Sequence, residues 1–140
     1  MNASTMLDGL LVALQPGNLM HVVIGCLLGT IVGILPGLGP SAGMALLIPI
    51  VFGMEPVSAL IMIAAIYYGA MYGGSATSIL INTPGEASSV MTTLDGYQMA
   101  RKGRAGAALA VSAIGSFIAG TIGIILLSLL ARPLAQLALQ

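Results

Sequence analysis

The chain has 140 residues, 58% of them hydrophobic and 6% charged, and its four acids and four bases cancel to zero net charge. A soluble domain carries about 25% charged residues, so this composition excludes a water-soluble globule. The neutral balance also removes the electrostatic basis for binding nucleic acid. Long apolar runs place the chain among all-α integral membrane proteins. The single Cys26 sits in one of these runs, cannot pair within the chain, and reads as a small buried hydrophobe rather than a reactive thiol.

The N-terminus has no basic region before its apolar residues and carries Asp8, so it does not resemble a cleaved signal peptide. Met6, Leu7, Leu10, Leu11 and Leu14 recur at helical spacing and predict a short interfacial helix within residues 1–17, closed by Pro16-Gly17. Asn18 is placed to cap the next helix. Leu19–Leu35 is the first membrane helix, with Gly25, Gly29 and Gly33 four apart as a close-packing face. His21 reads as an interfacial or hydrogen-bonded residue, with pH sensing as the alternative. Pro36–Gly43, PGLGPSAG, breaks the helix. Ser41–Met54 is apolar again but shorter than the roughly 20 residues of a span. It reads as a half-helix whose N-terminus collects free N–H groups, ended by Glu55-Pro56.

Val57–Ile81 is long enough to span, with an expected interruption at Gly73, Gly74 and Ser75. Asn82–Gly85 is a second hard break. Ser88–Lys102 reads as a helix with Glu86 near its start, Arg101 and Lys102 in its last turn, and Gly103 as its C-cap. Arg101, Lys102 and Arg104 are three of the four bases, so their loop is cytoplasmic by the positive-inside rule. Ala105–Leu130 is a clean span with Gly106, Gly115, Gly120 and Gly123 for packing, carrying Arg132 and Pro133 toward the other side. The apolar end of the chain reads as the front of something longer, or as one piece of an assembly.

The two breaks echo each other: Pro-Gly, small residues and a serine, then a helix too short to span. Paired interrupted segments point to a transporter binding site. The amides after Gly39 and Gly85, with the hydroxyls of Ser41, Ser75, Ser88 and Ser89, suit a carboxylate. Asn82, Thr83 and the backbone of Gly85 form a hard-oxygen set for Na⁺. Glu86 either ligates a cation, relays a proton, or caps the following helix. An intramembrane enzyme is disfavoured, because no serine has a neighbouring base in sequence and no metal-ligand spacing occurs. A structural or assembly subunit without its own substrate site is a further alternative, but it leaves two costly breaks unexplained.

The segments PGLGP, YYGAMYGGS, NTPGEASS and DGYQMARKGRAG, in this order and spacing, resemble the large membrane subunit of bacterial tripartite tricarboxylate transporters, the TctA family. The likeness runs from about Gly25 to Gly123. It implies a multi-pass protein of the bacterial inner membrane and a symporter importing citrate or another carboxylate, driven by Na⁺ or H⁺ with no other cofactor. Its implied partners are a small four-helix membrane subunit and a periplasmic solute-binding protein. Family members are several times longer, with a second half resembling an inverted counterpart, so residues 1–140 are expected to form one transmembrane domain and half of an inverted-repeat transporter. Whether NTPGE is a re-entrant tip or a far-side turn stays open at this level: a tip puts Val57 and Lys102 on one side, a turn puts them on opposite sides.

Overall fold

The computed structural model describes the backbone of residues 3–138 and the side chains of residues 7–131; the side chains of Met6, Arg132 and Pro133 lie outside the described residues. Every regular element among them is helical, and the architecture is that of an all-α membrane protein. Three stretches are long and apolar enough to cross a bilayer: Pro16–Gly33, Pro56–Ile81 and Ala87–Ala131.

Helix α1 covers Ala3–Ala13. Helix α2 covers Pro16–Gly33, so Pro16 opens this helix rather than closing the one before. Its missing N–H falls among the donors that have no partner at a helix start. Asn18 lies inside α2 and does not cap it. Its Nδ2 donates to the Val12 carbonyl (2.8 Å), and its Oδ1 accepts from Ser58 Oγ (2.7 Å). These two bonds tie α1, α2 and the start of the next long helix together at one end of the molecule.

Helix α2 stops at Gly33, and Pro36 withdraws a donor that a continuing helix would need. Gly37 and Gly39 take positive φ (86° and 65°) to reverse the chain. Helix α3 (Gly39–Leu47) and a 3₁₀ turn (Ile48–Val51) then lead back. Gly43 packs on Val32 and Ala70, while Val51 joins Met62 and Ile66 in the apolar core with Met44 and Leu47 beside it. The α2–α3 unit is thus a hairpin closed inside the helical layer.

Helix α4 (Pro56–Ile81) is the central element. Glu55 caps it by accepting the Ser58 N–H at Oε2 (3.1 Å). Gly25, Gly29 and Gly33 of α2 lie against the backbones of Met62, Ile66 and Ala70 in turn, and Gly69 and Gly73 lie against Cys26 and Thr30. Both series rise together, so α2 and α4 run parallel with their backbones in contact. The interruption expected at Gly73–Ser75 is absent: α4 is continuous there. Its glycine pair serves close approach instead. The hydroxyls of Thr77 and Ser78 both donate to the Gly74 carbonyl (2.9 and 2.8 Å), which satisfies them inside the helix.

Asn82 ends α4 in the left-handed conformation (φ 56°), and the N–H groups of Asn82 and Thr83 both turn to the Thr77 carbonyl. The chain then folds back along α4. Gly85 is buried against Gly74, seven residues before Ile81 and so about 10 Å below the end of the helix. A 3₁₀ turn (Ala87–Ser89) and helix α5 (Val90–Met99) climb out again, with Gly96 seated on Ile79. NTPGE is therefore the tip of a short re-entrant hairpin with one extended and one helical limb. Because α4 itself runs the full width, Val57 and Lys102 still lie at opposite ends.

A wide turn at Ala100–Arg104, with Gly103 at φ 76°, separates α5 from helix α6 (Ala105–Ala138). The left-handed glycine divides the long helical stretch Ala87–Ala131 into these two helices. Helix α6 returns antiparallel to α4, with Ala108 near the Ile79 level and Gly120 on the Tyr68 ring. Gly106, Gly115 and Gly123 meet no neighbour within 4 Å, so the packing expected of them is not used within this chain.

Candidate functional site

The two breaks meet. The first hairpin ends α2 at Gly33 beside Ala70 and Gly73. The second brings Gly85 onto Gly74. A methyl group on Gly85 would overlap the Gly74 α-carbon and stand 3.2 Å from the Gly33 carbonyl oxygen. Three glycines from three elements thus make a backbone-to-backbone junction within the α4 span. Glycine is required there by the close approach itself, since any side chain would hold the segments apart.

The next residue is Glu86, half-buried, with its carboxyl carbon 3.9 Å from the point where a Gly74 side chain would begin. Its backbone is extended (φ −154°, ψ 168°) at the head of the 3₁₀ turn. The Glu86 N–H donates to Ser89 Oγ (3.2 Å), and Ser89 Oγ donates to the Glu86 carbonyl (2.9 Å). Ser89 is therefore buried and engaged with its own turn. Ser75 is half-buried on α4, one residue beyond Gly74, while Ser88 is exposed.

The remaining candidates are spread along the two hairpins. Asn82 is exposed at the outer end of the second hairpin, and Thr83 Oγ1 donates to the Ile81 carbonyl (3.3 Å). Gly39 faces open space, and Ser41 is exposed on the first turn of α3. Gly85, Glu86, Ser75 and Ser89 are thus drawn around the junction, whereas Gly39, Ser41, Asn82, Thr83 and Ser88 lie toward its approaches. Reading along the chain assigned Gly33, Gly73 and Gly74 to helix packing or interruption and missed their place in the junction. The spacing of Gly33 and Gly73 within small-residue faces was visible, but not that Gly85 would seat between them.

Two grooves flank this layer. One, of about 520 Å³, lies between α4 and α6 and includes Cys26, Tyr68, Tyr72, Phe117 and Gly120. The other, about 350 Å³, lies among α4, α5 and α6 with Asp95, Thr92 and Ser112 on its walls. Among the described residues, no three His, Cys, Asp or Glu side chains gather closely enough to share a metal ion.

A family model described as tripartite tricarboxylate transporter TctA family matches residues 19–140, from the first turn of α2 onward. The chain belongs to that family. It is also 59% identical over 128 residues to an Agrobacterium vitis protein described as "Uncharacterized 52.8 kDa protein in TAR-I ttuC' 3'region". That match covers 91% of this chain and 26% of the relative, so the chain spans about a quarter of the length of the curated relative it matches. No solved structure matches it. TctA is a transporter family, and in this TctA chain both hairpins and their junction fall inside the matched residues.

Proposed function

We propose that this chain is part of the large membrane subunit of a tripartite carboxylate transporter in the bacterial inner membrane. In this reading it imports citrate or a related carboxylate, coupled to a Na⁺ or H⁺ gradient. A periplasmic solute-binding protein delivers the substrate, and a small four-helix membrane subunit completes the complex. The observation that carries the reading is the junction of Gly33, Gly74 and Gly85, where two Gly/Pro-broken hairpins from opposite ends of α4 touch inside the span. Irregular backbone at membrane depth is stable only where it lines protein or a polar cavity, and transporters place substrate and ion sites at such breaks. The carboxylate is assigned to Gly39, Ser41 and Ser88 on the approaches, with Ser75 and Ser89 beside the junction. The coupling cation is assigned to Asn82, Thr83, Gly85 and Glu86. One half of an inverted repeat supplies one wall of such a site.

The test is cysteine accessibility across Asn82–Ser89 in the complete transporter. Residues 84–86 are expected to react from either side of the membrane, depending on whether substrate and cation are present. Reaction from the Arg101 side alone, unchanged by ligand, would refute a transport site at the junction.

A further inference from the structure

Three of the chain's four bases crown an open groove. Arg101, Lys102 and Arg104 stand on the wide turn between α5 and α6, and all three are exposed. Gly103 (φ 76°) bends the chain between them, so the bases flank one corner instead of following one helix face. Among the described residues, none of the three meets a carboxylate. The groove beneath, of about 350 Å³, lies among α4, α5 and α6. It reaches Met99, two residues before Arg101, and Ala108, four residues after Arg104. Met91 and Val111 on its walls are 69% and 67% exposed, so the groove opens outward on the lipid-facing side. The positive-inside rule accounts for the side on which the bases lie, but not for an open, mostly apolar slot directly below them.

We propose that this corner binds one anionic phospholipid of the cytoplasmic leaflet, with its phosphate at Arg101, Lys102 and Arg104 and the upper part of an acyl chain in the groove between α5 and α6. The proposal rests on the orientation that puts the basic turn in the cytoplasm. Basic pockets between membrane helices on that side hold anionic headgroups. The described acid nearest to them in sequence is Asp95, on the groove wall. It is six residues before Arg101 and so about 9 Å below it along α5. Asp95 repels an anionic headgroup from the slot and keeps the phosphate up at the turn. Free phosphate would be attracted by the same bases; the slot beneath them favours a ligand with a tail. A lipid seated there touches both α5 and α6, and so holds the helical limb of the second hairpin against the last span.

The experiment places the purified protein in phosphatidylcholine nanodiscs with a trace of lipid spin-labelled on its acyl chain, and reads the immobilised fraction by electron paramagnetic resonance. Labelled phosphatidylglycerol should associate at least about fivefold more strongly than labelled phosphatidylcholine, the contribution of a single base at a membrane surface. The triple variant R101Q/K102Q/R104Q should lose that preference. Removing bases can also change how a chain inserts, so Val111→Trp gives an independent reading. It fills the groove from its exposed wall, leaves every base in place, and should abolish most of the preference. A preference that survives either change overturns the proposal; survival in Val111→Trp would make the bases a diffuse surface charge. Displacement of labelled phosphatidylglycerol by inorganic phosphate at constant ionic strength would assign the bases to the free anion and also overturn it. No preference in the wild type, while the complete transporter takes up carboxylate, sinks the lipid site and leaves the transport reading standing. A clear preference without uptake under any cation gradient does the reverse.

Discussion

Gly85→Ala tests the junction with the smallest possible change. The added methyl would overlap the Gly74 α-carbon and crowd the Gly33 carbonyl at 3.2 Å, and both neighbours are backbone atoms that cannot rotate away. Carbon atoms rest about 3.5–4.0 Å apart, so the tip must withdraw by about 1 Å. Overpacking of this kind typically costs about 1–3 kcal/mol. Gly85 is outside any helix, so alanine gains only the unfolded-state entropy term, about 0.4–1 kcal/mol. Combining these terms gives a net loss of about 0–2.6 kcal/mol, centred at about 1.3. Gly106→Ala is the matched control: it lies in α6 with nothing within 4 Å, and helix propensity alone should stabilise it by up to about 1 kcal/mol. Gly96→Ala falls between, because its neighbour at 2.7 Å is Ile79 Cγ1, the arm of a side chain that can shift. Denaturation of the purified variants in detergent, followed by circular dichroism, should rank stability Gly106→Ala, then Gly96→Ala, then Gly85→Ala. Equal stability of the Gly85 and Gly106 variants would show that the tip does not rest on Gly74.

Asn18→Ala should cost about 1–3 kcal/mol, since it removes the Ser58 and Val12 bonds of a buried amide. A double-mutant cycle with Ser58→Ala should show coupling of about 0.6 kcal/mol or more, and strict additivity would deny the clasp. The Glu55 carboxyl is held below its ordinary range, first by the Ser58 N–H and then by the Val57 N–H. Its capping contribution is thus full above the unfolded carboxylate range and lost as pH falls through the lowered folded value. Glu55→Gln should flatten the acid limb of melting temperature against pH, and an unaltered limb would contradict the cap. For topology, single cysteines at Asn82 and Lys102 should be labelled from one side of the membrane and one at Glu55 from the other; labelling of Asn82 and Lys102 from opposite sides would exclude the re-entrant hairpin.

The membrane class, the helical character and the positions of both breaks were legible in the sequence, because they depend on local composition: apolar runs of spanning length, and Pro-Gly pairs that no helix continues through. The close-packing role of Gly25, Gly29 and Gly33 was legible for the same reason, as spacing alone puts them on one face. What local chemistry does not contain is which face meets which. Gly73-Gly74 carries the same signature whether it breaks a helix or lets another backbone approach, and only the seating of Gly33 and Gly85 against α4 decided for approach. The same holds for Asn18, whose partner Ser58 lies 40 residues away, and for Gly33, which only the folded-back second hairpin brings against Gly85. Tertiary contact converted two separate interruptions into one junction, since close backbone approach depends on two segments at once and neither records it alone.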